Sequence, residues 1–276
     1  MKKWFAVIGD PIAQSMSPTM HEAWLQQNEV DASYIPIHVP RGTVEEAVRS
    51  LKTLGCSGWN VTVPHKEAII PYLDEIDPLA EAMQAVNTVV VKEGRLHGYN
   101  TDGVGFVASL RETFPEVEAD AEILIVGAGG AAKGISYALC RDGFRNMTIA
   151  NRTYETAEQL SDQLNASAMT LSEAEQQLAQ FDIIVQTTSV GMVHSQEGSP
   201  LDVSRLKRGT IVADIIYNPL QTELMKQAKA LGGKTMNGIG MFVHQGAIAF
   251  QHWLDIQPDT EQMTARIRQQ LGGNSC

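Results

Sequence analysis

The segment from Glu122 to Gly134, EILIVGAGGAAKG, constrains the fold more than any other. An unbroken apolar run of strand length enters Gly127-x-Gly129-Gly130, and helix-forming residues follow. Gly127 permits a tight turn, and Gly129 lets the backbone approach a pyrophosphate. The helix that starts there offers free N–H groups and a partial positive charge. Ala132 stands where a third glycine often sits, and a second strand is predicted at Met147–Ala150. Strand, turn, helix and strand together predict a dinucleotide-binding unit. The end of that second strand reads Asn151-Arg152-Thr153, with no acid to hold ribose hydroxyls and an Arg placed for a 2′-phosphate. NADP is therefore favoured over NAD.

The same alternation runs through the chain. Strands are predicted at Trp4–Gly9, Tyr34–Val39, Trp59–Val63 and Thr88–Val91, then at Glu122–Val126, Met147–Ala150, Asp182–Gln186 and Thr210–Asp214. Helices are predicted between them. Ser17–Asn28 has Ser17 as N-cap and Pro18 at its first position, and Thr43–Leu54 has a Thr43/Glu46 capping box and Gly55 as its stop. Further helices are predicted at Ala131–Arg141, Leu220–Leu231, Phe242–Leu254 and Thr260–Leu271. Such alternation implies an α/β chain of parallel sheets with helices on both faces. A boundary is placed near Asn100–Phe114, between two strand sets.

Composition excludes several classes. Lys and Arg number 21 against 32 Asp and Glu, a net charge of −11, with no basic run to meet a nucleic acid or an anionic membrane. No apolar run approaches the ~20 residues of a membrane span. The N-terminal apolar stretch ends at Gly9-Asp10, too short for a signal peptide. Cys56, Cys140 and Cys276 are too few and too scattered for a disulfide framework or a zinc site, and the histidines show no ligand spacing. A cytoplasmic enzyme without a metal is expected.

Other segments gather polar groups at strand ends: Ser15-x-Ser17-Pro18-x-x-His21, Asn60-Val-Thr62-x-Pro64-x-Lys66, Ala85-Val-Asn87-Thr88 and Asn100-Thr101-Asp102-Gly103. Singly, each reads as a cap, a turn or a solvated charge. After the glycine turn come Asn151-Arg152-Thr153, the Thr188–Met192 segment TSVGM, the Asp214–Pro219 segment DIIYNP, and Gly240-Met241 with Gln245. In this order, over essentially the whole chain, they resemble the shikimate dehydrogenase family.

The resemblance implies two α/β domains. A substrate-binding domain would comprise residues 1–102 plus 238–276, and a Rossmann-type NADP-binding domain residues 103–237. It implies NADPH-dependent reduction of 3-dehydroshikimate to shikimate, a step toward chorismate and the aromatic amino acids. Lys66 and Asp102 would be the catalytic pair. Ser15 and Ser17 would hold the substrate carboxylate, and Thr62, Asn87, Asp102 and Gln245 the ring hydroxyls, with Tyr217 also on the substrate. Gly127, Ala128, Gly129, Gly130 and Ala131 would bind the pyrophosphate, Asn151, Arg152 and Thr153 the adenosine phosphate, and Ile215 and Gly238 the nicotinamide side. His65 and His244 are read as neighbours only. No nucleic-acid or membrane partner is expected, and the chain would act as a monomer or homodimer.

Two departures stand out. Gln84 occupies a place where the family usually has Gly, and Thr156 one where many relatives carry a second Arg or Lys, with Glu155 beside it. The second departure predicts a narrower preference for NADP. The alternative readings are a quinate or quinate/shikimate dehydrogenase with relaxed NAD/NADP use, and a non-catalytic NADP-binding sensor. The sensor would be expected to have lost Lys66 or Asp102, and both are present.

Overall fold

The computed structural model describes residues 2–193 and 195–273, so Cys276 lies outside the described residues. The chain divides into two compact units. The first comprises Met1–Thr101 with Gln245–Met263, and the second Asp102–His244 with Thr264–Cys276. The expected limits differ at the C-terminal stretch. Residues 238–244 belong to the second unit because a Cβ at Gly238 would overlap the Ile215 carbonyl and one at Gly240 the Ser109 hydroxyl. The chain after Met263 also belongs there, where Gly272 lies beside Leu220.

The first unit is built on six strands, β1 (Lys3–Gly9), β2 (Ala32–His38), β3 (Gly58–Val61), β4 (Glu75–Ile76), β5 (Thr88–Lys92) and β6 (Arg95–Tyr99). Their order is β2-β1-β3-β5-β6-β4. The sheet is mixed and not parallel throughout, because β5 runs antiparallel to both β3 and β6. The cause is a tight hairpin at Glu93-Gly94, where both residues have positive φ (51° and 76°).

Helix α1 (Ser17–Gln27) begins one residue earlier than its expected cap allows: Ser17 is already helical and Met16 is the N-cap. The Ser15 hydroxyl instead accepts the Ser17 N–H at 3.3 Å. Helix α2 (Val44–Thr53) does start after Thr43, but the capping box is absent; the Thr43 hydroxyl donates to the Pro40 carbonyl. Helix α3 (Pro78–Met83) is capped by Asp77, whose carboxylate accepts the Leu79 N–H.

Helix α9 (Ile239–Leu254) supplies part of this unit's core from far along the chain. Gly246 lies so close to α1 that a Cβ would overlap the Met20 side chain. Trp253 stacks on Phe5 with centroids 5.0 Å apart, and its indole N–H donates to the Val89 carbonyl at 2.9 Å. Trp24 is fully buried, and its N–H donates to the Asp259 carbonyl at 3.0 Å. Truncating such a Trp to Ala costs about 3–5 kcal/mol. His21, one turn after Ser17, stacks on Tyr34 at 4.3 Å inside this aromatic cluster, and burial pushes its pKa down to about 3.

The second unit holds β7 (Ile123–Val126), β8 (Met147–Asn151), β9 (Ser167–Thr170), β10 (Ile183–Gln186), β11 (Ile211–Asp214) and β12 (Lys234–Met236). All pairs are parallel, in the order β12-β11-β10-β7-β8-β9. This is the doubly wound arrangement, and its strand order reverses between β7 and β10. The residues of β7, β10 and β11 are buried throughout, as expected of strands covered on both faces. The helices are α4 (Asp102–Thr113), α5 (Gly130–Arg141), α6 (Tyr154–Leu164), α7 (Leu171–Gln176), α8 (Glu223–Ala230) and the end of α10 (Thr260–Gly273). Helix α8 starts three residues later than expected, where Thr222 accepts the Met225 N–H. Cys56 is buried, Cys140 half-buried, and both are free thiols. No helix among the described residues is long and apolar enough to cross a membrane.

Gln84 occupies the left-handed region (φ 53°) at the C-terminal cap of α3, which explains why glycine suits that place. A side chain there costs about 1–2 kcal/mol, offset in part by the entropy a glycine loses on folding. Gln84→Gly should therefore stabilise the protein by about 0.5–1 kcal/mol, read as a rise in the urea midpoint at unchanged slope.

Candidate active site

The glycine turn lies at the C-terminal end of β7, where the sheet order reverses. Gly127 has φ 109°, and a Cβ on it would stand 2.6 Å from Thr187 Oγ1 and 2.9 Å from Thr188 Cγ2. Only glycine satisfies both restrictions. Ala128 leads to Gly129 and Gly130, where an added Cβ would meet nothing within 4 Å. Gly129 is the N-cap of α5 and brings no side chain to its first N–H groups. Those donors, with Ala131 in the first turn, face open space at the positive end of a 12-residue helix. At the end of β8, Asn151 donates to the Thr153 carbonyl at 3.0 Å and sets the entry to α6. Arg152 is exposed and makes no ion pair among the described residues. A cavity of about 320 Å³ lies beside these groups, lined by Gly127, Asn151, Arg152, Leu171, Thr188, Ser189 and Val190 with Gln196, Ser199 and Pro200. A side-chain-free cradle over bare N–H groups, with an unpaired guanidinium nearby, fits a phosphorylated dinucleotide.

A second group of residues in this unit surrounds the end of β11. Asp214 Oδ1 accepts the Ile216 N–H at 3.0 Å, and Oδ2 accepts the Thr222 hydroxyl at 2.7 Å. Burial pushes this carboxyl up to about 6, with the two donors opposing the shift. Ile215 donates its N–H to the Gln186 carbonyl, and Gly238 donates to that of Ile216. The Tyr217 ring lies 5.3 Å from that of Phe242. Asp102 is the first residue of α4, and Gly103 after it touches α5 so closely that a Cβ would overlap the Gly134 carbonyl.

The first unit holds Ser15, Ser17, Thr62, Lys66, Asn87 and Gln245; the second holds Asp102, Tyr217 and all the expected cofactor residues. Ser15 and Ser17 stand at the start of α1, joined by the bond between Ser15 Oγ and the Ser17 N–H. Thr62 follows β3 and donates its N–H to the Ile8 carbonyl at 2.9 Å. Its methyl lies where a Cβ on Gly9 would come within 2.5 Å. The Lys66 carbonyl accepts the Val86 N–H at 2.8 Å, tying its segment to the one that carries Asn87. Asn87 is buried; its Oδ1 accepts from the Thr101 N–H and the Thr88 hydroxyl, both at 2.9 Å, and its Nδ2 donates to Thr101 Oγ1. Gln245 precedes Gly246, the residue packed against α1. His65 bonds the Val39 carbonyl at 2.7 Å and His244 bonds Glu112 at 2.8 Å.

Sequence reasoning did not single out Leu171, Gln196, Ser199 or Pro200 of the cavity wall. The capping box of Thr170 and Glu173, formed in the structure at the start of α7, was the signal that could have placed Leu171.

The parallel sheet, the reversal point and the bare glycine turn define the second unit as a Rossmann-type fold, and with it the chain as an α/β dinucleotide-binding protein. Comparison with known proteins narrows the class. Residues 7–89 match the shikimate dehydrogenase substrate binding domain, residues 110–219 the shikimate / quinate 5-dehydrogenase family, and residues 238–268 the shikimate 5′-dehydrogenase C-terminal domain. A shikimate dehydrogenase (NADP(+)) of Lysinibacillus sphaericus is 54% identical, covering 99% of this chain and 100% of that one. Among solved structures, a shikimate dehydrogenase in complex with NADP+ is 37% identical with a TM-score of 0.91, covering 98% and 96% of the two chains. Shikimate 5-dehydrogenase of Thermus thermophilus, in complex with NADP(H) and shikimate, is 33% identical with a TM-score of 0.88, covering 97% and 99%. The chain belongs to the shikimate dehydrogenase family.

The raised Asp214 pKa has a consequence for stability. Relative to an ordinary carboxyl near 3.8, a folded value of about 6 contributes stability below pH ~4 that is lost as pH rises through 6. Asp214→Asn cannot ionise and keeps an acceptor for Ile216. Its stability relative to the parent should rise between pH 4 and pH 7 by up to about 3 kcal/mol and then level off, as read by urea unfolding at each pH.

Proposed function

We propose that the protein catalyses the reversible NADPH-dependent reduction of 3-dehydroshikimate to shikimate, with Lys66 and Asp102 as its catalytic pair. The observation that carries the cofactor half is the bare start of α5 beside Arg152, which has no carboxylate partner among the described residues, in a chain whose family acts on shikimate. NADPH held there would supply the hydride for the carbonyl carbon. Negative charge then develops on the carbonyl oxygen, and the Lys66 ammonium stabilises it and donates the proton. The Asp102 carboxylate orients Lys66 and accepts a bond from a ring hydroxyl. Ser15 and Ser17 donate to the substrate carboxylate. Thr62, Asn87 and Gln245 bind ring hydroxyls; the close packing of Asn87 with Thr88 and Thr101 supports a fixed role. Gly127 to Ala131 hold the pyrophosphate, and Asn151, Arg152 and Thr153 the adenosine phosphate. Ile215, Tyr217 and Gly238 serve the nicotinamide and substrate rings. Residues 1–102 and the α9 segment act as the substrate-binding part, and the doubly wound unit as the cofactor-binding part. We infer a monomer or homodimer, and a cytoplasmic location, the latter supported by the free thiols of Cys56 and Cys140. The quinate reading is the weaker one, because the strongly similar full-length relative is named for shikimate and NADP.

Two measurements test the assignments. Lys66→Ala should lower kcat by roughly 10²–10⁴-fold with little change in shikimate binding, whereas Ser15→Ala should act mainly by raising KM for shikimate. Near-normal turnover in Lys66→Ala would remove the acid–base role.

A single Arg-to-phosphate contact contributes about 1.5–3 kcal/mol, or roughly ten- to a hundredfold. Arg152→Ala should lower kcat/KM for NADP by that factor and leave NAD almost unchanged. Thr156→Arg should widen the preference for NADP. Equal losses with both cofactors in Arg152→Ala would mean that Arg152 only supports its loop.

A further inference from the structure

Two adjacent strands of the second unit end in the same unusual way. Gln186 closes β10, Asp214 closes β11, and they are cross-strand partners. Both are buried, at 0% and 1% exposure, although each carries a polar head in an otherwise apolar strand. Each head turns forward onto its own following loop. Gln186 Oε1 accepts the Thr188 N–H at 2.8 Å, while its Nε2 donates to the carbonyls of Thr188 and Val190 at 3.2 and 3.1 Å. Asp214 accepts from the Ile216 N–H and from the Thr222 hydroxyl, and that hydroxyl accepts the Met225 N–H at the start of α8. The loop between residues 214 and 222 is thus closed on one carboxylate at both ends. The two loops are also tied to each other by the Val193 N–H donating to the Asn218 carbonyl at 3.2 Å.

We propose that Gln186 and Asp214 are a pair of positioning residues that hold two neighbouring loops in register at the cofactor face. Gln186 sets Thr188 and Val190, which line the cavity beside Arg152. Asp214 sets Ile215 and Tyr217. This inference rests on the reading above, in which that second loop meets the nicotinamide and the substrate. Neither side chain touches a reactant. Each replaces water as the partner of loop backbone that has no strand neighbour, and so fixes that backbone without adding bulk to the cavity.

The two arms should fail differently. A misplacement of about 1 Å near the reacting atoms costs ~10²-fold in rate. Asp214→Ala should lower kcat ~10–100-fold with KM for NADP within about threefold. Asp214→Asn keeps an acceptor for Ile216 and a partner for Thr222, and should restore kcat to within about threefold. Gln186→Leu should raise KM for NADP ~10-fold with kcat within about threefold, because it frees the wall of the adenosine side. Thr222→Val breaks the Asp214 bond from its other end and should reproduce the kcat loss, which keeps the test valid if Asp214→Ala folds poorly. Parental kcat in both Asp214→Ala and Thr222→Val would overturn the proposal. So would an Asp214→Asn variant as slow as Asp214→Ala, since charge and not bracing would then matter. Tyr217→Ala separates the two layers of argument: unchanged kcat and shikimate KM there would remove the loop from the reaction altogether, whereas a clear loss alongside a parental Asp214→Ala would sink the brace alone.

Discussion

Much of the second unit depends on one contact in which no side chain takes part. Gly103 on α4 lies so close to the backbone of Gly134 on α5 that a Cβ on Gly103 would overlap the Gly134 carbonyl. Asp102 is the residue before Gly103, and the glycine turn leads directly into α5. Backbone against backbone is the least compressible form of packing, because there is no rotamer to yield. The carboxylate at the start of one helix and the anion cradle at the start of the other are therefore held at a fixed separation. The same device recurs at Gly238 against the Ile215 backbone, whereas Gly127 faces the side chains of Thr187 and Thr188. This unit is keyed by side chains that are missing as much as by those that are present.

The chain carries a net charge of −11, yet its family handles an anionic substrate and an anionic cofactor. Local donors reconcile the two. Uncapped N–H groups at Gly130, an Arg152 free of any carboxylate among the described residues, and hydroxyls at Ser15 and Ser17 offer hydrogen where anions are expected. Total charge governs solubility and long-range encounter, and it has little authority over a site whose nearest groups are donors.

The sequence was most legible where backbone geometry admits few residues. The glycine turn could be read because Gly127 combines positive φ with a close neighbour, and the central strands because both faces are covered. The strands that escaped are short or weakly apolar: Glu75–Ile76, Arg95–Tyr99, Ser167–Thr170 and Lys234–Met236. The antiparallel turn of the first sheet was signalled by Glu93-Gly94, but alternation of strands and helices masked it. Capping was legible in identity and not in register. Ser17 reads as the cap of α1, and only the fold shows that Ser15 accepts the bond while Ser17 is already helical. Gln186 was read as a strand end and Asp214 as a strand end that opens the DIIYNP segment, with no role for either side chain, because their work depends on which loop backbone folds over them, and local pattern does not encode that.

The first unit is discontinuous, and this bears on how the chain comes off the ribosome. Its core waits for Gly246 and Trp253, which pack against Met20 and Phe5, residues made more than two hundred positions earlier. At about 5–20 residues per second, the first hundred residues emerge and then wait roughly 8–30 s for the helix that completes them. During that interval the surface later covered by Trp253 faces solvent, while the second unit's sheet, contiguous in sequence from Ile123 to Met236, has all its strands in hand. The unit begun first thus completes its core only after the second unit's sheet has been made.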